Sequence, residues 1–180
     1  SIVVVGLTLS SSWGNGHATT WRALIRGLRA EGHRVLFLER EKPWYASNRD
    51  LSDPEFCTLS FYSQVAELKA WHDVIAGADA VIVGSYVPDG VAVIDLLHDL
   101  GPRRLCFYDI DTPVTMRMLR AGDETYLAPR QAPMFDIYFS FSGGEVLTAL
   151  EREHAVRRAE ALYCCVEETG YLPTGEVPEW

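Results

Sequence analysis

The fold can be predicted from one glycine-rich segment, Gly6-Leu7-Thr8-Leu9-Ser10-Ser11-Ser12-Trp13-Gly14-Asn15-Gly16-His17. Four apolar residues, 2–5, lead into it, and an amphipathic helical pattern leaves it with Trp21, Leu24, Ile25 and Leu28 on one face. Strand, loop and helix in this order form the first unit of a doubly wound α/β domain, in which ligands bind beyond the carboxyl ends of the strands. Glycines admit a ligand to the backbone, and a helix N-terminus offers free N–H groups. The segment therefore predicts a binding site.

The rest of the chain repeats this alternation of strand-like and helix-like patterns. Further strands are predicted at residues 35–38, 57–62, 80–84, 105–108, 136–140 and 161–164. We therefore expect an α/β, Rossmann-like, doubly wound and mostly parallel sheet of about six to seven strands, with helices on both faces. Right-handed crossovers give the strand order 3-2-1-4-5, with the later strands continuing outward.

Local signals define some of the helix ends and loops. Gly32 is expected to follow the end of the first helix, and Thr112 with Pro113 predicts an N-cap and first turn of a later one. Residues 43–56 are predicted to form a loop. Its Trp44 and Tyr45 form either aromatic walls for a ligand or a lid packed on the core.

Composition limits the classes of function. The net charge of −9 argues against non-specific binding of nucleic acid, which needs a basic surface. No apolar run reaches the roughly 20 residues of a transmembrane segment, and we expect no signal peptide. The cysteines contain no C-x-x-C pair and are interpreted as reduced core residues of a cytoplasmic protein; they are Cys57, Cys106, Cys164 and Cys165.

The last residues differ in character from the rest. Residues 1–166 are predicted to form one domain. Residues 167–180 carry acids, prolines and glycines without periodicity, and are predicted to begin an interdomain linker.

His17 is the first candidate for chemistry. At the start of a helix, the positive end of the dipole disfavours the imidazolium, and a neutral imidazole can accept a proton as a general base. A histidine packed beneath the loop, or one helping to cap the helix, fits the same sequence.

Two further groups of residues follow predicted strands. Asp109 and Asp111 could hold a divalent metal or orient a substrate, or they could cap a helix and solvate a strand end. Ser142-Gly143-Gly144 is either an anion-binding nest at a helix N-terminus or a tight turn. Ser85 and Tyr86 are candidates by position alone, because the exit of the fourth strand borders the same crevice.

Together these motifs resemble the N-terminal domain of a GT-B glycosyltransferase, in particular the bacterial spore-maturation-like group, over residues 1–166. The stretches that carry the resemblance are Gly14-Asn15-Gly16-His17 with the helix and strand that follow, Phe37-Leu38-Glu39-Arg40, Pro43-Trp44-Tyr45, Gly84-Ser85-Tyr86-Val87-Pro88-Asp89-Gly90, Tyr108-Asp109-Ile110-Asp111-Thr112-Pro113 and Ser140-Phe141-Ser142-Gly143-Gly144.

The resemblance implies an acceptor-binding half that faces a second, donor-binding domain across a cleft. It implies that His17 is the base or positions the acceptor, with Asp109 and Asp111 in supporting roles, and that Gly14, Asn15, Gly16, Ser85, Tyr86 and Ser142-Gly143-Gly144 contact substrate. The implied partners are a nucleotide-sugar co-substrate and a small-molecule or polymer acceptor, with no metal, cofactor or nucleic acid. Without the second domain, the chain is expected to be inactive.

Three alternatives remain. Glu39, at the end of the second strand, lies where the ribose-binding acid of a dinucleotide-binding domain belongs, although the glycines are not in the compact G-x-G-x-x-G spacing. Asp109-Ile110-Asp111 could serve a metal-dependent GT-A transferase. A non-catalytic α/β binding module is the third.

Overall fold

The computed structural model describes residues 1–167, which form a single seven-stranded parallel sheet with helices around it. The strands are β1 (Ile2–Gly6), β2 (Val35–Arg40), β3 (Thr58–Tyr62), β4 (Ala80–Gly84), β5 (Leu105–Asp109), β6 (Ile137–Ser140) and β7 (Ala159–Ala161). The α-helices are α1 (His17–Ala30), α2 (Pro43–Ala46), α3 (His72–Gly77), α4 (Gly90–Asp99), α5 (Thr112–Ala121) and α6 (Glu145–His154), and two 3₁₀ helices span Val65–Trp71 and Pro129–Met134.

The strand order is β3-β2-β1-β4-β5-β6-β7, which confirms the predicted order and class of fold. β1 lies inside the sheet and pairs in parallel with both β2 and β4. Its Val4 and Val5 are fully buried, because a parallel sheet is covered on both faces. The connections leave β1 and β4 in opposite directions, so a crevice opens between their carboxyl ends.

The two faces of the sheet are covered unequally by the described helices. On one face, Trp21 and Ile25 of α1 pack with Val4 and Phe37. On the other face, α3 to α6 and both 3₁₀ helices contribute to a larger core that includes Ile94 of α4. No helix within residues 1–167 has the length and apolarity needed to cross a membrane.

Several local predictions need correction. β7 lies at Ala159–Ala161 and not at residues 161–164, because parallel pairing with β6 and the packing of Ala159 fix its register. Asp111, not Thr112, occupies the N-cap of α5; the Thr112 hydroxyl instead contacts Ser140. Residues 43–56 are not all loop, since α2 begins at Pro43.

The cysteines only partly follow the prediction. All four are free thiols, but only Cys106 is buried, whereas Cys57 and Cys165 are half-buried and Cys164 is exposed. The expected linker lies outside the described residues except for Glu167, which pairs with Arg26 at 2.9 Å.

Two glycines at strand ends allow large side chains to pack directly against the backbone of the sheet. A Cβ atom at Gly6 would overlap the ring of Phe37, and one at Gly84 would lie 2.9 Å from the indole of Trp21. These positions therefore admit no larger side chain without movement of the core.

We expect Gly6→Ala to lower the free energy of unfolding by about 1–3 kcal/mol, because the added methyl overpacks the core beside Phe37. Gly27→Ala is the matched control, because this exposed position in α1 has open space around it. There alanine should raise the free energy of unfolding by about 0.5–1 kcal/mol. Urea denaturation measures both. Equal stability of the two variants would contradict the packing argument.

Candidate functional site

A cleft of about 520 Å³ lies at the carboxyl ends of the central strands. The loops that follow β1, β2, β4 and β5 all contribute to it, which places it at the crevice beside β1. Its lining residues are Leu7, Gly14, Asn15, Gly16, His17, Trp44, Tyr45, Tyr86, Pro88 and Asp111.

The buried carboxylate of Glu39 holds the loop after β1. It accepts hydrogen bonds from the backbone N–H groups of Leu9 (2.7 Å) and Ser10 (2.9 Å) and from the hydroxyls of Thr8 (3.1 Å) and Ser10 (2.7 Å). These four bonds engage both carboxylate oxygens. Glu39 is therefore a structural residue of this loop and does not face a ligand as a ribose-binding acid would.

The segment after β2 is attached to the same loop. The Ser10 carbonyl accepts hydrogen bonds from the N–H groups of Asp50 and Leu51, both at 3.0 Å. These bonds bring α2 to the cleft, where Tyr45 is 9% exposed and Trp44 is 48% exposed. Both residues line the cleft, and Trp44 is much the more exposed of the two.

Asn15 fixes the entry to α1. Its Oδ1 accepts hydrogen bonds from the backbone N–H groups of His17 (3.0 Å) and Ala18 (3.2 Å), which α1 itself leaves free. Gly14 adopts a φ of 68°, in the left-handed region that favours glycine. The G-N-G-H sequence therefore places the His17 side chain at the first turn of α1, facing the cleft.

His17 is held in its neutral form. Its Nδ1 is buried and has no hydrogen-bond partner among residues 1–167. Burial lowers the pKa of the imidazole below its ordinary value of 6.5, while the nearby charge of Asp111 acts in the opposite direction. The ring can therefore accept a proton near neutral pH, and Asp111 would stabilise the resulting cation.

Tyr86 connects His17 with Asp111. Its hydroxyl donates a hydrogen bond to Asp111 Oδ2 at 2.9 Å, and its ring stands nearly perpendicular to the imidazole, with 5.5 Å between centroids. Burial and the Asp111 carboxylate raise the pKa of Tyr86 to about 12, which keeps the phenol as a donor. Tyr86 has a φ of 62°, a strained conformation of a kind that clusters at functional sites.

Asp109 lies away from the cleft. Its fully buried carboxylate accepts hydrogen bonds from Tyr138 (2.6 Å), Thr115 (2.8 Å) and the backbone N–H of Asp111 (3.1 Å). Burial raises the pKa of Asp109 to about 6, although these bonds favour the charged form. Because Asp109 points into the core and Asp111 into the cleft, the pair does not present two carboxylates to one metal ion. Residues 1–167 contain no cluster of three or more metal-binding side chains.

The remaining predicted residues also lie outside the cleft. Ser85 is buried, and its Oγ accepts a hydrogen bond from the N–H of Ile110 at 3.1 Å. In Ser142-Gly143-Gly144, the N–H of Ser142 donates to Ser140 Oγ at 3.0 Å, and Gly144 precedes α6 with a φ of 69°. Neither Ser142, Gly143 nor Gly144 is part of the cleft lining. The structure thus brings together Gly14, Asn15, Gly16, His17, Tyr86 and Asp111, and leaves the other candidates apart.

Some residues at the site were not among the candidates chosen from the sequence. Leu7 and Pro88 line the cleft as ordinary loop residues. Tyr126 lies behind Tyr86, with 4.6 Å between ring centroids, and comes from an irregular segment far along the chain. Its approach depends on Gly90, where a Cβ would overlap the Tyr126 carbonyl. The spacing of glycine and tyrosine in the sequence does not reveal this contact.

No protein-family model and no curated protein matches this chain. Several solved structures resemble it in fold, among them two that each share 14% identity with it. One is an alpha-glucosyltransferase in complex with UDP and a 13-mer DNA containing a HMU base, with a TM-score of 0.55 over 91% of this chain and 42% of that one. The other is an alpha-glucosyltransferase in complex with UDP-glucose and DNA containing an abasic site, with a TM-score of 0.54 over 90% and 41%.

These comparisons show a Rossmann-like α/β fold like that of a glycosyltransferase. The chain spans about two fifths of the length of the structures it matches. Nothing in them supports the spore-maturation group in particular. Since both neighbours are described in complex with DNA, the prediction that no nucleic acid is a partner gains no support from them.

We expect Glu39→Gln to lower the free energy of unfolding by about 1–3 kcal/mol, because an amide NH₂ replaces one oxygen that faces buried donors. Hydrogen exchange at the Leu9 and Ser10 amides should accelerate. Glu31→Gln, at an exposed position after α1, serves as the control and should change neither quantity. Unchanged exchange in Glu39→Gln would show that the loop does not depend on this carboxylate.

Asp109 should give the protein a measurable pH dependence. Its folded-state pKa of about 6 exceeds the ordinary 3.8, so its contribution to stability is present at low pH and is lost as the pH rises through 6. The free energy of unfolding of the wild type, minus that of Asp109→Asn, should therefore fall by about 1–3 kcal/mol between pH 4 and 7. Urea melts across this range measure it; a flat or rising difference would refute the assignment.

Proposed function

We propose that this chain is the acceptor-binding half of a GT-B glycosyltransferase, which moves a sugar from a nucleotide-sugar donor to an acceptor hydroxyl or amine. The observation that carries the proposal is the neutral, partly buried His17 at the start of α1, facing a cleft beyond the sheet edge. The likeness in fold to two alpha-glucosyltransferases supports it.

In the proposed reaction, His17 accepts the proton of the acceptor hydroxyl. The acceptor oxygen forms a bond to the anomeric carbon of the donor sugar while the bond from that carbon to the diphosphate oxygen breaks, and the nucleoside diphosphate leaves with the electron pair. Asp111 stabilises the protonated imidazole electrostatically. Tyr86 holds the Asp111 carboxylate through its 2.9 Å hydrogen bond.

The glycine loop supplies the second part of the proposed site. Gly14 and Gly16 carry no side chain, and a Cβ at either would meet open space, so a ligand can approach the backbone closely. Most of the donor site would belong to a segment outside this chain, in keeping with the two-fifths share of the matched structures. The isolated chain would then transfer no sugar.

The proposal assigns no metal ion to the diphosphate, because the Asp109 carboxylate faces Tyr138 and Thr115 in the core. This orientation also disfavours the metal-dependent GT-A alternative. The engagement of Glu39 by Leu9 and Ser10 disfavours the dinucleotide-binding alternative. A non-catalytic binding module is the remaining alternative, and turnover measurements distinguish it.

In the longest natural protein that contains this chain, we expect His17→Ala to reduce sugar transfer from a UDP-sugar by roughly 100-fold or more, the usual scale for a lost general base. His72→Ala is the control, since this exposed histidine on α3 lies outside the cleft. Release of UDP measures the rate, and the melting temperature reports folding. Equal turnover of the two variants would remove His17 from the mechanism; no transfer by the wild type would favour a binding module.

A further inference from the structure

One wall of the cleft is formed by aromatic and apolar residues. Trp44 is 48% exposed and lines the cleft together with Tyr45 and Tyr86. Leu7 and Pro88 extend this wall. An aromatic surface of this kind packs well against the flat face of another ring, whether aromatic or sugar. The lining thus favours a ligand with a ring over an extended chain.

The charge of the cleft disfavours anions. Among its described lining residues, Asp111 is the one with an acidic side chain, and none is a lysine or arginine. Burial keeps His17 uncharged near neutral pH. A phosphate group that entered beside His17 would therefore meet a negative carboxylate without a compensating cation in the lining.

The arginines near the cleft are already paired. Arg40 forms an ion pair with Asp89. Arg49 pairs with Glu41 at 2.9 Å.

Lys42 is the remaining nearby cation within the described segment after β2. Its Nζ lies 5.6 Å from the ring centroid of Trp44, a cation–π arrangement that orders the outer wall. One lysine can neutralise one phosphate, whereas a protein that binds duplex DNA tightly makes several such contacts. The cleft lining and the segment after β2 therefore offer fewer free cations than a nucleic-acid acceptor needs.

Resting on the proposed function, we propose that the acceptor is a neutral small molecule with a ring, which packs against Trp44 and directs a hydroxyl toward His17, and that DNA is not an acceptor of this protein. The ring supplies apolar contact with the wall, and the hydroxyl can donate to His17 or Asp111. This assigns Trp44 a role in specificity that its loop position alone does not indicate.

Calorimetric titration with three probes tests the proposal. They are 2-naphthol, which has an aromatic ring, methyl β-D-glucopyranoside, which has a sugar ring, and a short DNA duplex. At about 150 mM salt, we expect at least one ring probe to saturate the protein below about 10 mM and the duplex to show no binding. The ring probe that binds identifies which kind of ring the wall accepts.

Variants of two exposed tryptophans locate the binding. Trp44→Ala should lower the affinity for the ring probe about tenfold or more. Trp44→Phe, which keeps a ring, should lower that affinity less. Trp13→Ala is the matched control, since Trp13 is 54% exposed but its side chain is not part of the cleft lining. Circular dichroism confirms that each variant folds.

Saturable duplex binding, the absence of binding by both ring probes, or equal effects of Trp44→Ala and Trp13→Ala would each overturn the proposal. These results are distinct from a failure of the proposed function. Ring binding that depends on Trp44, together with no sugar transfer by the longest natural protein that contains this chain, would leave the ring-binding site in place and refute the transferase. Sugar transfer by that protein to a DNA acceptor would instead support the transferase and overturn this inference.

Discussion

The site depends on one buried carboxylate. Glu39 comes from the end of β2, but its hydrogen-bond partners lie on the loop after β1, at Thr8, Leu9 and Ser10. A carboxylate in the interior is costly to leave without donors, and here neutral N–H and O–H groups supply them.

A second loop is then built on the first. Ser10, whose N–H and hydroxyl satisfy Glu39, offers its carbonyl to the N–H groups of Asp50 and Leu51. Asp50 also forms an ion pair with Arg22 of α1. Burial acts to raise the pKa of the Asp50 carboxyl, but the contacts with Arg22 and Ser12 outweigh it, so the pKa is lowered. The segment that carries Trp44 and Tyr45 is thus held beside the cleft by backbone hydrogen bonds to Ser10, in the loop after β1.

The sequence predicts the general architecture well because periodic burial determines it: the apolar runs and the right-handed crossovers were enough for the strand order. Side-chain direction at the strand exits was much harder to predict. Asp109 and Asp111 differ by two positions, yet Asp109 ends β5 facing Tyr138 in the core, whereas Asp111 has left the strand and faces the cleft. Ser85 was likewise near the site in sequence but buried in the structure. Such outcomes depend on long-range partners that no local pattern contains.

The attachment of the second loop has an evolutionary consequence. Residues 43–51 carry part of the aromatic wall, yet the hydrogen bonds from Asp50 and Leu51 to Ser10 O involve backbone atoms, which any residue except proline can supply. Side chains such as Trp44 can consequently change while the segment keeps its place. A substitution at Trp44 would therefore change the surface that this segment presents to the cleft, while the backbone hydrogen bonds to Ser10 O and the position of His17 stay as they are.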